Sequence, residues 1–502
     1  MGLMLRIKGL ALRLIPAKAG IQTSESEINL DSRLRGNDIG DSPLFSVAII
    51  TSLILVLALV STAYAAERNT SYIYPPWQHT WGVVRATPFK LRLFVGNKTH
   101  FNDPQGLACV RLNAWEDTSR TGDDDEITAY GVNSGDNCII YNRSMFALGI
   151  YGLDAGDEKL NRPWGIAANA RGDVYVADRG NHRVVRLFNT GHNLTFVGAV
   201  GGAGDEPGQF IDPCGVALDN SGNLYATDAG LGRVTVFDKD GQVKGVWEGF
   251  DGPDGIAVVD PLEPWSYCRE GFAVVIDSLH QRITRLSLDG TRLTIARASD
   301  WGAGGGYLDY MALDFYNQLI ITDRRNGCFH KLDRNLNYIT RFGEPGTGDY
   351  QFDEPRGISI YRRFGQILVA ERAGAQYLWV GEDATDLTAR VIADSVWRDL
   401  RVDFKVTEPA LLELSLHDSF GRFIALLARR QWFNLGNGHL NWGLQIPSRL
   451  PEDSSYPSPP PEYRPGEKLP AGEYILRARF RATYSSREQF FDELEIRFKL
   501  TW

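Results

Sequence analysis

The sequence contains little methionine, cysteine and histidine, and these shortages exclude several kinds of protein. Its 502 residues include four Met, five Cys and eight His. No two cysteines form Cys-x-x-Cys, so a zinc knuckle or a thioredoxin-like redox motif has no support. The net charge of −9 argues against a broad nucleic-acid-binding surface, and we expect no nucleic-acid partner. The 52 Gly and the 11% of aromatic residues instead suit a turn-rich, strand-rich protein.

Long apolar runs are also scarce, and the clearest extends from Leu44 to Val60, followed by Ala63-Tyr64-Ala65. This small-x-small pattern predicts a signal peptide over 44–65. The protein would then be exported to the periplasm, the cell surface or the exterior, with no membrane span after cleavage. The run is long for a signal peptide, so an uncleaved anchor is the alternative. Residues 1–43 resemble translated bacterial intergenic repeat sequence, and we exclude them from the expected fold.

Export would permit disulfides, and Cys109 and Cys138 are the closest pair in sequence. Because the number of cysteines is odd, at least one thiol is expected to be free or paired between chains. The acidic run from Asp123 to Glu126 could hold Ca²⁺, but its spacing matches no known calcium loop. A solvated turn is the favoured interpretation.

An internal repeat dominates the middle of the chain. Each copy has Pro-x-Gly-apolar-Ala, a turn with Gly, a strand ending in Asp, a short loop, and then Arg and another strand. The clearest copies extend from Arg162 to Phe188 and from Asp212 to Gly241. With the weaker ones there are six copies, and a single four-stranded unit cannot bury both of its faces. The copies therefore predict an all-β, six-bladed β-propeller, in which Leu91–Gly96 would be the strand that closes the ring.

The pattern Pro-x-Gly-Ile-Ala followed by Val-Ala-Asp-x-Gly-Asn-x-Arg, found from Pro163 to Arg183, resembles the NHL repeat. The resemblance implies an NHL-type six-bladed β-propeller over residues 66–381. Propellers of this type include binding scaffolds and a few enzymes, so the fold does not determine the function.

Residues 382–502 lack the repeat and contain alternating strand segments of another kind. Four features resemble the Ig-like β-sandwich of flagellar hook-capping proteins: Pro409-Ala410, the hairpin from Asp418 to Arg422, Trp442, and the segment from Pro470 to Tyr474. The resemblance implies an Ig-like domain that serves as a spacer or a docking module. Its Pro-rich loop, 447–465, is interpreted as a stiff surface loop, with a partner-binding segment as the alternative.

Repeated Asp and Arg residues are interpreted as structural, because a functional site would not recur in successive blades at the same spacing. They are expected to form ion pairs or turn hydrogen bonds within each blade. They are Asp178/Arg183, Asp228/Arg233 and Asp277/Arg282.

The informative positions are those where the blades differ. The x residue of Pro-x-Gly and the residue after the strand-two Asp lie on one face of the ring. The first set is Gln105, Trp164, Cys214, Asp254, Asp309 and Arg356, and the second is Ser134, Arg179, Ala229, Ser278, Arg324 and Arg372.

From these sets we predict a ligand-binding face in which the arginines bind a carboxylate, a phosphate or an acidic peptide, and the indole offers a stacking plane. The alternative is solvated arginines in surface ion pairs. The predicted binding residues are Arg179, Arg324, Arg356, Arg372, Trp164, Asp254 and Asp309.

No catalytic residue, metal ligand or cofactor is predicted. The amidating lyase of the same fold holds zinc with three histidines in the channel, where this chain has glycines in the Pro-x-Gly motifs. The histidines His182, His280 and His330 fall in the loop and outer-strand parts of the repeat. The calcium ligands of lactonase-type propellers have no recognisable counterpart, and no Gly-x-Ser-x-Gly, His-Glu-x-x-His or P-loop motif occurs.

These observations favour an exported, non-catalytic binding or scaffold protein whose propeller face holds a protein, a peptide or a glycan. Two alternatives remain open: a metal-dependent propeller lyase or hydrolase, and a structural subunit of a surface assembly. A metal bound in the channel would favour the enzyme. The oligomeric state is not predicted.

Overall fold

A computed structural model describes residues 71–76, 80, 83–115, 127–144, 147–154, 156–393, 398–448, 456–484 and 491–501. The predicted signal peptide and the acidic run at 123–126 lie outside these residues. Residues 65–502 form one compact unit. No helix among the described residues is long and apolar enough to cross a membrane.

The described chain begins with two short strands, β1 (Tyr72–Ile73) and β2 (Arg85–Ala86), and a helix, α1 (Pro88–Val95). The prediction that Leu91–Gly96 is the closing strand is therefore wrong. Thr87 caps the helix by accepting a hydrogen bond from the amide of Lys90 at 3.3 Å, and Pro88 occupies its first turn. Both are strong helix-start signals, and they outweigh the alternation of the apolar residues that follow.

Blades 1 to 3 are four-stranded antiparallel sheets. Their strands are largely buried because each blade is covered by a neighbour on both faces, and Gly or Asn turns join them. The strands are β3 (Pro104–Val110), β4 (Thr128–Asn133), β5 (Cys138–Ser144), β6 (Ala147–Tyr151), β7 (Pro163–Ala168), β8 (Asp173–Asp178), β9 (Arg183–Asn189), β10 (Leu194–Gly201), β11 (Pro213–Leu218), β12 (Leu224–Asp228), β13 (Arg233–Phe237) and β14 (Val243–Trp247).

Blades 4 to 6 follow the same plan, with a small parallel pair, β23 and β24, between blades 5 and 6. Their strands are β15 (Ile256–Val259), β16 (Phe272–Asp277), β17 (Arg282–Leu286), β18 (Arg292–Arg297), β19 (Leu308–Leu313), β20 (Leu319–Asp323), β21 (Cys328–Leu332), β22 (Tyr338–Phe342), β23 (Glu344–Pro345), β24 (Gln351–Phe352), β25 (Ile358–Tyr361), β26 (Gln366–Glu371) and β27 (Gly374–Val380).

The amino-terminal strands close the ring. Both β1 and β2 pair antiparallel with β27, so the outer edge of blade 6 is completed from the start of the chain. The innermost strands are neighbours in the order β3, β7, β11, β15, β19, β25 and back to β3. The predicted six-bladed all-β ring is thus confirmed, with its closure at a different segment.

The glycines of the Pro-x-Gly motifs make this ring tight. A Cβ atom on Gly106 would lie 2.7 Å from the carbonyl oxygen of Trp164, and one on Gly255 would lie 2.6 Å from that of Asp309. Each glycine thus lies so close to the backbone of the x residue in the next blade that a side chain would not fit between them. The same holds for Gly165, Gly215 and Gly357. In blade 5 the position is occupied by Tyr310, whose hydroxyl lies 3.3 Å from Oε1 of Gln105 in blade 1.

The repeated Asp and Arg residues are structural, as predicted. Arg183 donates to Asp178 at 2.8 Å and Arg282 donates to Asp277 at 2.7 Å, each within its blade. Blade 3 uses turn hydrogen bonds instead: both oxygens of Asp228 accept backbone amides at 2.9 Å.

The last seven strands form two facing sheets around one apolar core. One sheet has the order β28-β29-β32 and the other β31-β30-β33-β34. Trp442 packs half-buried against this core, and the buried Tyr474 donates its hydroxyl to the carbonyl of Pro470 at 2.8 Å. The strands are β28 (Ala384–Ala393), β29 (Arg398–Val406), β30 (Ala410–Asp418), β31 (Phe423–Phe433), β32 (Gly436–Trp442), β33 (Gly472–Ala482) and β34 (Phe491–Leu500).

A buried polar contact joins these sheets to blade 5. Lys331 on β21 forms an ion pair with Glu408, and both side chains are almost fully buried. Gln318 also donates to Glu408, at 2.7 Å. All five cysteines lie in described residues, and each is a free thiol, including Cys109 and Cys138.

Candidate functional site

The six x residues of the Pro-x-Gly motifs surround the axis at one face, and we call this place the axial mouth. Because each repeat glycine holds its strand against the next blade, the x residues converge at the start of the innermost strands. Trp164 is half-buried, and the other five are buried: Gln105, Cys214, Asp254, Asp309 and Arg356.

The four predicted arginines all have acidic partners. Arg179 pairs with Asp212, Arg356 with Asp103 and Glu354, and Arg372 with Asp353. Arg324 lies 3.4 Å from Glu354 and 4.0 Å from Asp309. These guanidinium charges are therefore compensated within the protein, and the ion-pair alternative describes the arginines better than an open anion site does.

The structure brings six of the seven predicted residues into two adjoining groups and leaves Arg372 outside them. Trp164 donates its indole N–H to Asp254 at 3.2 Å, and the guanidinium of Arg179 lies 4.6 Å from the indole ring. A second group contains Asp309, Arg324 and Arg356. Arg372 is more exposed, and its guanidinium hydrogen-bonds and pairs with Asp353, which belongs to neither group.

Two carboxylates and one imidazole come together at the axial mouth. Asp254, His280 and Asp309 each offer a ligand atom within 4.8 Å of the others. Nε2 of His280 lies 3.8 Å from an oxygen of Asp254. No described residue donates a hydrogen bond to either oxygen of Asp309, although that side chain is 0% exposed. A buried polar group without a partner is costly, so this carboxylate needs a proton or a ligand.

Burial and the neighbouring carboxylate of Asp254 raise the pKa of Asp309 to about 8, with Arg324 and Arg356 opposing the shift. Burial also raises the pKa of Asp254, while His280 and Arg179 oppose it. Two carboxylates this close cannot both ionise at low cost in the absence of an added positive charge. A bound cation would supply that charge.

The backbone orients His280 toward the two carboxylates. Its Nδ1 lies 2.8 Å from the carbonyl oxygen of Leu308, which can only accept, so Nδ1 carries the proton. In the neutral imidazole Nε2 is then free to bind a metal, in the arrangement that metal-binding histidines commonly have. Ser278, Leu279 and His280 all have positive φ, and the ring stacks on Tyr307 at 3.8 Å between centroids.

This donor set suits a divalent transition metal. Imidazole and carboxylate ligands together fit Zn²⁺ or Mn²⁺, and three protein ligands leave coordination positions open. Bonds of about 2.0–2.2 Å to each ligand require the three ligand atoms to move closer together than the present limit of 4.8 Å.

A second cluster, formed by Asp323, Cys328 and His330, is structural. It occupies the Asp and Arg positions of blade 5, and His330 lies 3.1 Å from Asp323. The contact with His330, together with hydrogen bonds accepted from Tyr307 and Asn326, outweighs the burial of Asp323 and lowers its pKa to about 2. Its oxygens are already satisfied, in contrast to those of Asp309.

Sequence reasoning named Asp254 and Asp309 but missed His280. The histidine was assigned to the loop between strands two and three, and that loop lies on the same face as the axial mouth. The sequence did offer one signal for its position, because His280 follows the strand-two Asp277 by only three residues. The three successive left-handed residues that turn it inward have no signature in the sequence.

Comparison with known families identifies part of the ring. The model of the NHL repeat matches residues 160–187, which form most of the inner three strands of blade 2. The ring is a β-propeller that contains an NHL repeat. A curated relative, NHL repeat-containing protein 3 from Homo sapiens, is 30% identical over 90 residues. The match covers 18% of this chain and only 26% of that protein.

Solved structures similar to this propeller include virginiamycin B lyase from Staphylococcus aureus, at 14% identity and a TM-score of 0.35, covering 50% of this chain and 76% of that one. The calcium-binding protein regucalcin from Agrobacterium tumefaciens has 14% identity and a TM-score of 0.38, with coverages of 56% and 91%. A gluconolactonase from Xanthomonas campestris has 14% identity and a TM-score of 0.39, with coverages of 59% and 94%. Such distant similarity does not transfer a ligand or a reaction.

Proposed function

We propose that the axial mouth is a divalent-metal centre with Asp254, His280 and Asp309 as ligands. The observation that carries the proposal is the fully buried carboxylate of Asp309, which has no hydrogen-bond donor among the described residues. It lies beside a second carboxylate and beside an imidazole whose Nε2 is available. A cation satisfies all three groups at once.

In this proposal the chain is an exported binding protein that uses the metal to hold its ligand. Open coordination positions on the cation would take a carboxylate or hydroxyl oxygen of a protein, a peptide or a glycan. Trp164 and Tyr307, with the guanidiniums of Arg179 and Arg324 beside them, would form the walls around that oxygen. The two carboxyl-terminal sheets would be an Ig-like module that spaces or docks the propeller.

The second candidate is a metal-dependent lyase or hydrolase. It is favoured by the small number of protein ligands, because a metal with an open position activates a bound water or polarises a carbonyl oxygen. A purely structural role for both domains is the third candidate. The unsatisfied buried carboxylate at the axis argues against it. Turnover of a substrate by the metal-loaded protein would separate the enzyme from the binding protein.

Calorimetric titration of the metal-free chain with Zn²⁺, Mn²⁺ and Ca²⁺, followed by elemental analysis, tests the site. We expect one Zn²⁺ or Mn²⁺ per chain, and at least tenfold weaker binding in Asp309→Asn and in His280→Ala. The control variants are Asp240→Asn and His192→Ala, which change exposed residues outside the cluster and should bind as the wild type does. Absence of a stoichiometric metal would mean that Asp309 holds a proton instead, and the proposal would fail.

A further inference from the structure

Helix α1 exposes apolar side chains on the side that faces away from the propeller. It lies against β6 of blade 1, and its buried residues, Leu91 and Val95, are one turn apart. At about 100° per residue, Phe89 and Leu93 project from the opposite side of the helix. They are 71% and 67% exposed, and we call this pair the α1 ridge. Phe94, beside the ridge, is 45% exposed. Because a helix that is apolar on both sides is ordinarily covered on both, the ridge calls for a partner.

Cationic side chains flank the α1 ridge. Lys90 and Arg92 lie on its two sides in the same helical projection. The ammonium group of Lys90 donates to the carbonyl of Arg85 at 2.9 Å, which holds it on its flank. Arg92, and Lys98 just after the helix, have exposed side chains that form no ion pair with a described residue. In this they differ from the arginines at the axial mouth, each of which has an acidic partner.

One carboxylate contacts the segment that follows the helix, and it is already engaged. Asp136 accepts hydrogen bonds from Thr99 at 2.7 Å and from Asn102 at 2.8 Å, and it lies 3.3 Å from the ring of His100. These contacts satisfy Asp136 locally rather than through Lys98. The cations around the ridge therefore remain available to anionic groups outside the protein.

An exposed apolar ridge between cations suits an anionic lipid surface. Phenylalanine and leucine bury favourably at the boundary between head groups and acyl chains, while lysine and arginine beside them attract anionic head groups. A helix of eight residues is about 12 Å long, too short on its own to supply the ~800 Å² that each partner of a stable protein complex buries. Two copies docked ridge to ridge would bring the same cations together. The predicted apolar run from Leu44 to Val60 also lies just upstream in sequence, and export would bring this end of the chain to a membrane.

We propose that helix α1 is a membrane-surface contact. Phe89 and Leu93 enter the boundary between head groups and acyl chains, and Lys90, Arg92 and Lys98 bind the anionic head groups of phospholipids. The contact holds the propeller at a bilayer surface without spanning it. It requires neither a metal nor a ligand at the axial mouth.

Co-sedimentation with phospholipid vesicles tests this contact. The chain is used without residues 1–65, as cleavage of the predicted signal peptide would leave it, so that the apolar run cannot insert. A chelator is present, so that no metal ion bridges the axial mouth and a phosphate. We expect binding to vesicles of equal parts phosphatidylglycerol and phosphatidylcholine, and binding at least about tenfold weaker to phosphatidylcholine alone. Added salt should weaken the binding.

Two variants separate the ridge from its flanks. Phe89→Ser combined with Leu93→Ser removes the apolar side chains, and Arg92→Glu reverses the charge of one flank. Each should weaken binding to the anionic vesicles at least about tenfold. The matched controls are Phe420→Ser and Lys239→Glu, which change an exposed phenylalanine of the carboxyl-terminal sheets and an exposed lysine of blade 3. Both controls should bind as the wild type does.

Three results would overturn the proposal: no binding to anionic vesicles, equal binding to anionic and neutral vesicles, or binding that the ridge variant leaves unchanged. Sedimentation velocity without lipid tests for a second copy on the ridge. A wild-type dimer that the ridge variant loses would assign the ridge to self-association instead. Thermal melts of each variant show whether it is folded. Failure of metal binding leaves this test intact, so the two proposals are judged separately.

Discussion

At the scale of single residues, Asp309 combines a proposed role in binding with a cost to stability. It is buried beside Asp254, and no described residue donates a hydrogen bond to it. Functional groups that are positioned for a ligand commonly lower the stability of the ligand-free protein. The metal-free protein should show that cost directly.

Asp309→Asn should therefore stabilise the metal-free protein at alkaline pH. The pKa of Asp309 is raised to about 8 in the fold, above the value of about 3.9 expected for an unfolded chain. The folded state thus holds a proton that the unfolded state releases, and the stability of the wild type falls as pH rises from about 4 to about 8. At pH 8 the variant should be more stable by on the order of 1–3 kcal/mol.

Urea unfolding in the presence of a chelator, at pH 5 and at pH 8, measures this difference. The gain should be smaller at pH 5, because the wild-type carboxyl is then mostly protonated. Adding Zn²⁺ should stabilise the wild type but not the variant, since only a ligand that binds the folded state raises stability. A variant that is less stable than the wild type at pH 8 without metal would show that the carboxylate has a partner.

At the scale of the repeat, much of the blade could be predicted from sequence. Period-two apolar residues, Gly turns and the strand-two Asp located the three inner strands of most blades. The partners of the arginines could not be predicted, because Arg179–Asp212 and Arg356–Asp103 join successive blades and lie far apart in sequence. The closing strand was misplaced because Leu91 and Val95 have buried side chains that fit a helix as well as a strand.

The repeat glycine has a physical role that the pattern alone does not reveal. Gly106→Ala would place a Cβ atom 2.7 Å from the carbonyl oxygen of Trp164, and backbone cannot move aside as a flexible side chain can. We expect a loss of about 1–3 kcal/mol in the free energy of unfolding, as for other overpacked sites. Gly202→Ala is the control, because nothing lies within 4 Å of its added Cβ.

Urea denaturation of the two glycine variants measures the difference between them. The control should remain within about 0.5 kcal/mol of the wild type, as surface substitutions usually do. Equal stability of Gly106→Ala and Gly202→Ala would mean that the blades are packed less tightly around the axis than the structure indicates.

At the scale of the whole molecule, the junction between the propeller and the carboxyl-terminal sheets depends on buried charge. Lys331 from blade 5 pairs with Glu408 from the loop before β30, and Asp314 and Glu382 face the same ammonium group. Burial lowers the pKa of Lys331 to about 8, against the opposing effect of those two carboxylates. Lys331 therefore faces three buried acids.

Lys331→Met should destabilise the chain strongly, by about 3–5 kcal/mol, because it leaves Glu408 without the buried partner of its ion pair. Adding Glu408→Gln in the same chain should recover part of the loss, since one uncompensated acid is then removed. Lys239→Met is the matched control, because its ion pair with Asp240 is exposed to solvent and contributes little to stability.

Urea unfolding of the three variants, compared as a double-mutant cycle with Glu408→Gln alone, measures the coupling between the two residues. Because one side chain belongs to blade 5 and the other to the segment leading into β30, a large coupling energy would mean that the two parts unfold together. Additive effects would mean that the carboxyl-terminal sheets unfold independently of the ring. These sheets would then act as a separate domain on the propeller rather than as part of one cooperative unit.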